Sequence, residues 1–136
     1  MSLRDAEYQQ LLEFRDGLRR FLHWSETQAT TAGLTPAQHQ LLLAIRGHAG
    51  VQDPTIGEVA EHLQLRHHSA VGLIDRAEHA GFVQRWSDPE DQRVVRLRLT
   101  PLGRRRLEQL SALHLEELRR LSPSLRPLWA HLDAAN

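Results

Sequence analysis

Between Thr55 and Leu99 the apolar spacing of this chain changes period, and that change constrains the fold most. Thr55-Ile56-Gly57-Glu58 reads as a helix start, with the Thr hydroxyl and the Glu carboxylate placed to cap each other's end of the first turn. Ile56, Val59, Ala60 and Leu63 then recur at helical spacing. After Gln64-Leu65-Arg66 a second helical stripe begins near His67, carried by Ala70, Leu73, Ile74 and Ala77 and closed by Gly81. The period then drops to two. Phe82 to Trp86 has strand composition, Ser87 to Gln92 is turn material, and Val95, Leu97 and Leu99 alternate with Arg96 and Arg98. Two short helices around a tight turn, followed directly by a hairpin, predict a winged helix-turn-helix.

The flanks are helical. Tyr8, Leu11, Leu12, Phe14, Leu18, Phe21, Leu22 and Trp24 form a stripe from about Arg4 to about Thr30, stopped by Gly33. A helix of that length, about 38 Å at 1.5 Å per residue, is too long for one small core to cover and points to a partner subunit. Thr35-Pro36-Ala37-Gln38 is a second capping box with Pro in the first turn. It opens a helix whose Leu41 to Ile45 run is apolar on nearly every side and is expected to be buried. Thr100-Pro101 opens a Leu-rich helix from Leu102 to Leu121. Ser122-Pro123 is expected to break it and to start a last short helix with Leu125, Leu128, Trp129 and Leu132. The fold class expected is mainly α with a small β-hairpin wing. Residues 35–100 form the winged core of a single domain, 1–136, and 4–30 and 101–134 form dimerisation helices.

At 136 residues the chain can bury one working core but is too short for a barrel enzyme or a two-domain nucleotide enzyme. It contains no cysteine, which excludes disulfides, thiolate metal sites and thiol redox sensing. No apolar run approaches a membrane span, and the polar start carries no secretory pattern, so a cytoplasmic protein is expected. There is no Gly-rich phosphate loop and no nucleophile elbow, so no enzyme is expected.

Charge points the same way. Arginine supplies all 17 basic residues, balanced by 17 acids. From Arg66 to Arg106, however, nine arginines face five acids. A neutral chain with a basic middle suggests a nucleic-acid face there.

The stretch Ser69-Ala70-Val71-Gly72-Leu73-Ile74-Asp75-Arg76-Ala77-Glu78-His79-Ala80-Gly81-Phe82-Val83-Gln84-Arg85 resembles the MarR family of bacterial transcriptional regulators. So do Asp91-Gln92-Arg93 and Leu99-Thr100-Pro101-Leu102-Gly103. The resemblance implies a two-fold homodimer on a pseudo-palindromic duplex site. The helix from His67 would enter the major groove, Arg93 at the hairpin tip would enter the minor groove, and Asp91 would orient it. The DNA-binding residues expected are Arg66, His67, His68, Ser69, Arg76, Asp91 and Arg93. Asp75 is expected to position an arginine, since a free carboxylate repels phosphate. Where many relatives carry a small polar cap, Pro and Thr-Arg, this chain has Arg66, His67, Val71 and Gly72.

The family commonly binds small aromatic or phenolic anions between the dimerisation helices and the winged domain. His23, Trp24 and His39 are the candidates for such an effector site. No cofactor is expected. Nine histidines leave a metal-responsive regulator as an alternative, with His62, His67, His68, His79 and His114 at no diagnostic ligand spacing. A winged-helix module that binds protein and has lost DNA is the other alternative.

Overall fold

A computed structural model describes residues 2–134, with the side chains at 128, 129 and 131–134 excepted. The order is α1 (Asp5–Thr31), α2 (Pro36–Gly47), α3 (Ile56–Leu63), α4 (His67–His79), β1 (Val83–Ser87), β2 (Val95–Leu99) and α5 (Pro101–Ala134). This is the expected winged helix-turn-helix between two long helices.

The local chemistry of the helix starts is as read. The Thr35 hydroxyl accepts from the Gln38 N–H at 3.1 Å, and the Gln38 side chain accepts from the Thr35 N–H at 3.0 Å. Thr55 and Glu58 repeat the arrangement at 3.1 and 3.0 Å. Gly33 and Gly81 take left-handed conformations, φ +83° and +86°, that end α1 and α4 with little strain. Gln64 makes the turn between α3 and α4 at φ +55° without being glycine.

β1 and β2 pair antiparallel, Val83 opposite Leu99 and Ser87 opposite Val95. The segment before α3 adds a short third edge: Thr55 bridges Arg96, and the Leu97 N–H donates to the Pro54 carbonyl at 2.9 Å. Leu41, Leu42, Ile74, Leu97 and Leu110 are fully buried where the three short helices, the hairpin and α5 meet.

The hairpin base is locked to α5. The Thr100 hydroxyl donates to the Gly81 carbonyl at 2.6 Å and accepts from the Gly103 N–H at 3.0 Å. A Cβ at Gly103 would stand 2.1 Å from the Phe82 carbonyl oxygen. Thr100 and Gly103 thus let the α5 backbone lie directly on that of Phe82.

Two expectations are corrected. Leu43 is 53% exposed, because the α2 run faces the core with Leu41, Leu42 and Ile45 only. The helix does not break at Ser122-Pro123: α5 runs on through Pro123 and Pro127. Both prolines are exposed, so water can reach the carbonyls that lose their N–H partners. The Ser124 hydroxyl also donates to the Leu121 carbonyl at 2.8 Å. The expected apolar positions Leu128, Trp129 and Leu132 lie outside the described side chains.

Tyr8, Leu11, Leu12, Leu18 and Leu22 on α1 are about half exposed, as are Leu113, Leu115 and Leu118 on α5. No helix among the described residues is long and apolar enough to cross a membrane.

Candidate nucleic-acid interface

The start of α4 presents its side chains outward. Arg66 occupies the N-cap with no side-chain cap bond, and Arg66, His67 and His68 are exposed, while Ser69 is half-buried. No acid lies in the first turn of α4. Unpaired backbone N–H groups and the positive end of the helix dipole therefore meet solvent beside these residues, a setting that attracts phosphate.

Gly72 has a local reason. The Arg76 guanidinium lies back along the helix, with Nη1 3.3 Å from where a Gly72 Cβ would stand. Glycine inside a helix costs about 1 kcal/mol relative to alanine. Here it leaves room for Arg76 to reach one turn toward the N-terminal end.

Asp75 does position an arginine. Arg85 on β1 donates to Asp75 Oδ1 at 2.5 Å and to Glu78 Oε1 at 2.7 Å, while its own N–H meets Glu78 Oε2 at 3.1 Å. Partial burial opposes the charge of Arg85, but its bonds to the two carboxylates outweigh that and raise its pKa. One guanidinium thus straps α4 to the hairpin.

The hairpin tip is closed by two backbone bonds, Asp88 N–H to Val94 O at 3.0 Å and Val94 N–H to Asp91 O at 2.9 Å. Asp91 accepts the Arg93 N–H at 3.1 Å and the Arg93 Nε and Nη2 at 3.0 and 3.2 Å. These bonds from Arg93 hold the Asp91 carboxyl below the usual carboxylate range. The Arg93 side chain is 91% exposed, so its guanidinium is oriented and still free to meet a groove.

Arg96 lies on the face opposite Leu97 and Leu99, as the alternation has it, but that face is covered at Arg96. Its side chain is 13% exposed, bonded to Asp88 Oδ2 at 2.9 Å and to the Asp53 carbonyl at 2.8 Å. The Pro54 segment covers that face of the hairpin and turns Arg96 into an internal brace. The Glu90 N–H and then Arg96 hold the Asp88 carboxyl low. Trp86 Nε1 donates to Asp53 Oδ2 at 3.0 Å, a second tie to the same segment. Nothing in the period-two pattern marked Arg96, Asp88 or Asp53.

The candidate effector residues are only partly brought together. His39 is buried, its ring 4.8 Å from that of His114, and Trp24 meets the same His114 ring at 4.9 Å. His114 Nδ1 donates to the Leu110 carbonyl at 2.7 Å. In the neutral ring Nε2 then accepts from the Ser25 hydroxyl at 2.6 Å. Burial first, and His114 second, push the His39 pKa down. His23 is exposed and borders an open groove on α1 with Arg19, Arg20, Trp24 and Thr27. His114, placed among metal candidates by sequence, is the hub of this cluster.

His62 pairs with His48 at 3.2 Å, and His48 also meets Glu58 at 3.0 Å. Among the described residues no group of three or more His, Cys, Asp or Glu is placed to hold a metal ion.

The model of the MarR family matches residues 32–94. The uncharacterised helix-turn-helix regulator YsmB of Bacillus subtilis (strain 168) is 39% identical over 67 residues, 49% of this chain and 46% of that one. The helix-turn-helix transcriptional repressor MdtR of the same organism is 29% identical over 80 residues, 59% of this chain and 50% of that one. The chain spans about half the length of these curated relatives. A mutant of MepR from Staphylococcus aureus, solved bound to an oligodeoxyribonucleotide, superposes with a TM-score of 0.69 at 19% identity. That match covers 91% of this chain and 93% of the other, and it establishes the fold.

Proposed function

We propose that the chain, whose residues 32–94 match the model of the MarR family, is a homodimeric transcriptional regulator that binds a pseudo-palindromic duplex site and represses from it. The observation that carries this reading is the pair of free basic ends: Arg66, His67 and His68 at the start of α4, and Arg93 oriented but 91% exposed at the wing tip. A guanidinium held in that way suits the enhanced negative potential of a narrow minor groove. The half-exposed leucines of α1 and α5 support a subunit interface. Two-fold symmetry then sets the two α4 helices about 34 Å apart, one turn of DNA. The MepR neighbour bound to an oligonucleotide and the relative named a repressor support the DNA and repression parts. Such a protein works in the cytoplasm, beside the bacterial chromosome. In the same reading a small aromatic or phenolic anion acts between the terminal helices and the winged core, beside Trp24 and His39, and releases DNA.

Fluorescence anisotropy tests it, with DNA from upstream of the protein's own gene against a scrambled duplex across a salt series. The expected result is specific binding that weakens steeply with salt. Binding no tighter than to the scrambled control at low salt overturns the regulator reading and favours a module for protein partners.

A further inference from the structure

The far side of the hairpin carries a second basic feature. A pocket of about 190 Å³ opens between the end of α2, the segment from His48 to Pro54, β2 and the first turn of α5. Arg46, Arg98 and Arg104 line it, one from each of three elements, and Asp53 is the one carboxylate among the lining residues. None of the three arginines is in an ion pair among the described residues. Asp53 is occupied elsewhere, accepting from Trp86 Nε1 at 3.0 Å. The Arg98 guanidinium rests over the Trp86 ring, 5.2 Å from its centroid, which fixes its direction.

From these observations we propose that this pocket is an oxyanion site, taking a small multiply charged anion of the phosphate or dicarboxylate class. Three guanidiniums against one engaged carboxylate leave two positive charges uncompensated. The start of α5 adds to the imbalance. Its first turn contains Arg104 and no acid, opposite to what the helix dipole favours, and an anion at this wall removes the conflict. Size limits the ligand. Drug-sized sites run from roughly 300 Å³ upward, so about 190 Å³ suits a phosphate or a small dicarboxylate and excludes a whole nucleotide. Gly50, which also lines the pocket, lets the His48 ring pack against the backbone, since a Cβ there would stand 2.5 Å from His48 Nε2.

The site is separate from the reading face. Arg98 shares a hairpin face with Trp86 and Arg96, whereas α4 is strapped to the opposite face through Arg85. A free anion therefore fits better than the phosphodiester of a duplex lying on α4, and the test separates the two sources.

The full chain is titrated with inorganic phosphate at constant ionic strength, sodium chloride being exchanged for it, and binding is read by calorimetry and by the thermal midpoint. The variants are Arg46→Gln/Arg104→Gln and a control, Arg126→Gln, on the exposed far part of α5. Circular dichroism checks that each folds. Phosphate is expected to bind the parent and the control alike, and the double variant at least about tenfold more weakly, because charge-assisted bonds are lost. The same proteins are then run on duplex DNA across salt. If only the slope of DNA binding falls, by about one to two phosphate contacts, the oxyanion is a DNA phosphate. If the folded double variant matches the parent in both phosphate binding and salt slope, the site does not exist. The phosphate arm does not depend on the regulator reading and can succeed or fail without it.

Discussion

Replacing Arg93 by Ala isolates the wing. The side chain is 91% exposed and its partner is Asp91 alone among the ion pairs of the tip. Exposed pairs contribute little to folding, so the variant should unfold at the parent's midpoint. Its effect should appear in DNA binding. An arginine contacting DNA contributes about 1–3 kcal/mol, and a two-fold dimer carries two. The expected loss is therefore about 2–6 kcal/mol, roughly 30-fold to twenty-thousandfold in Kd. Asp91 accepts two bonds from the Arg93 side chain, which limits the rotamers that DNA would otherwise have to freeze. Asp91→Asn keeps one acceptor oxygen, so it should weaken binding less, by under about tenfold on this reasoning. The assay is anisotropy on the preferred duplex at about 150 mM salt, a concentration at which unsupported long-range attraction is screened. An Arg93→Ala protein that binds within twofold of the parent would refute the wing assignment. An Asp91→Asn protein weaker than Arg93→Ala would refute the orienting role.

Gly103→Ala should destabilise the fold by about 3 kcal/mol or more in urea, since the new Cβ meets backbone at Phe82 that no rotamer change can move; a loss under about 1 kcal/mol contradicts the close approach. His39 binds its proton less readily folded than unfolded, mainly through burial, so the unfolded state takes up more protons as pH falls. Stability against urea should therefore begin to fall below the unfolded histidine pKa of about 6.5 and level off below the lowered folded value, and His39→Gln should flatten that dependence. Leu118→Glu places a charge on an exposed stripe of α5; if the proposed homodimer forms through it, light scattering should show a dimer mass for the parent and half that for the folded variant, and an unchanged mass removes this stripe from the proposed interface.

Features governed by neighbours in sequence were legible. The Thr35 and Thr55 capping boxes, the glycine stops at Gly33 and Gly81, and the Asp91–Arg93 pair each involve residues within a few positions of one another. What failed depends on distant segments. Alternation put Arg96 on the face opposite Leu97, but it cannot show that the Asp53–Pro54 backbone returns to cover that face from more than forty positions away. His114 gave no local signal either; its role arises from α1, α2 and α5 meeting around it. Proline reading failed at Pro123 because the usual rule assumes that the orphaned carbonyl is costly, and on an exposed face water can satisfy it. Gly72 looked like a weakness in a recognition helix. Its reason lies one turn away in the Arg76 guanidinium.

In the proposed regulator these contacts would determine how the terminal helices act on α4 and the wing. α5 is fastened at its first turn to the hairpin base through Thr100 and Gly103. It is fastened next to the end of α1 through the Arg106 guanidinium on the Ala32 carbonyl. One turn pair further on, His114 joins it to Ser25 of α1 and stands against His39 of α2. Arg85 in turn binds the hairpin to α4. In the proposed homodimer a rotation of α5 would carry hairpin and α4 with it as one body, because packed interiors shift between arrangements rather than stretch. The spacing of two half-site readers would be set where α1 and α5 meet a partner. An event at Trp24, His39 and His114 would act on that spacing, leaving the shape of each reader unchanged.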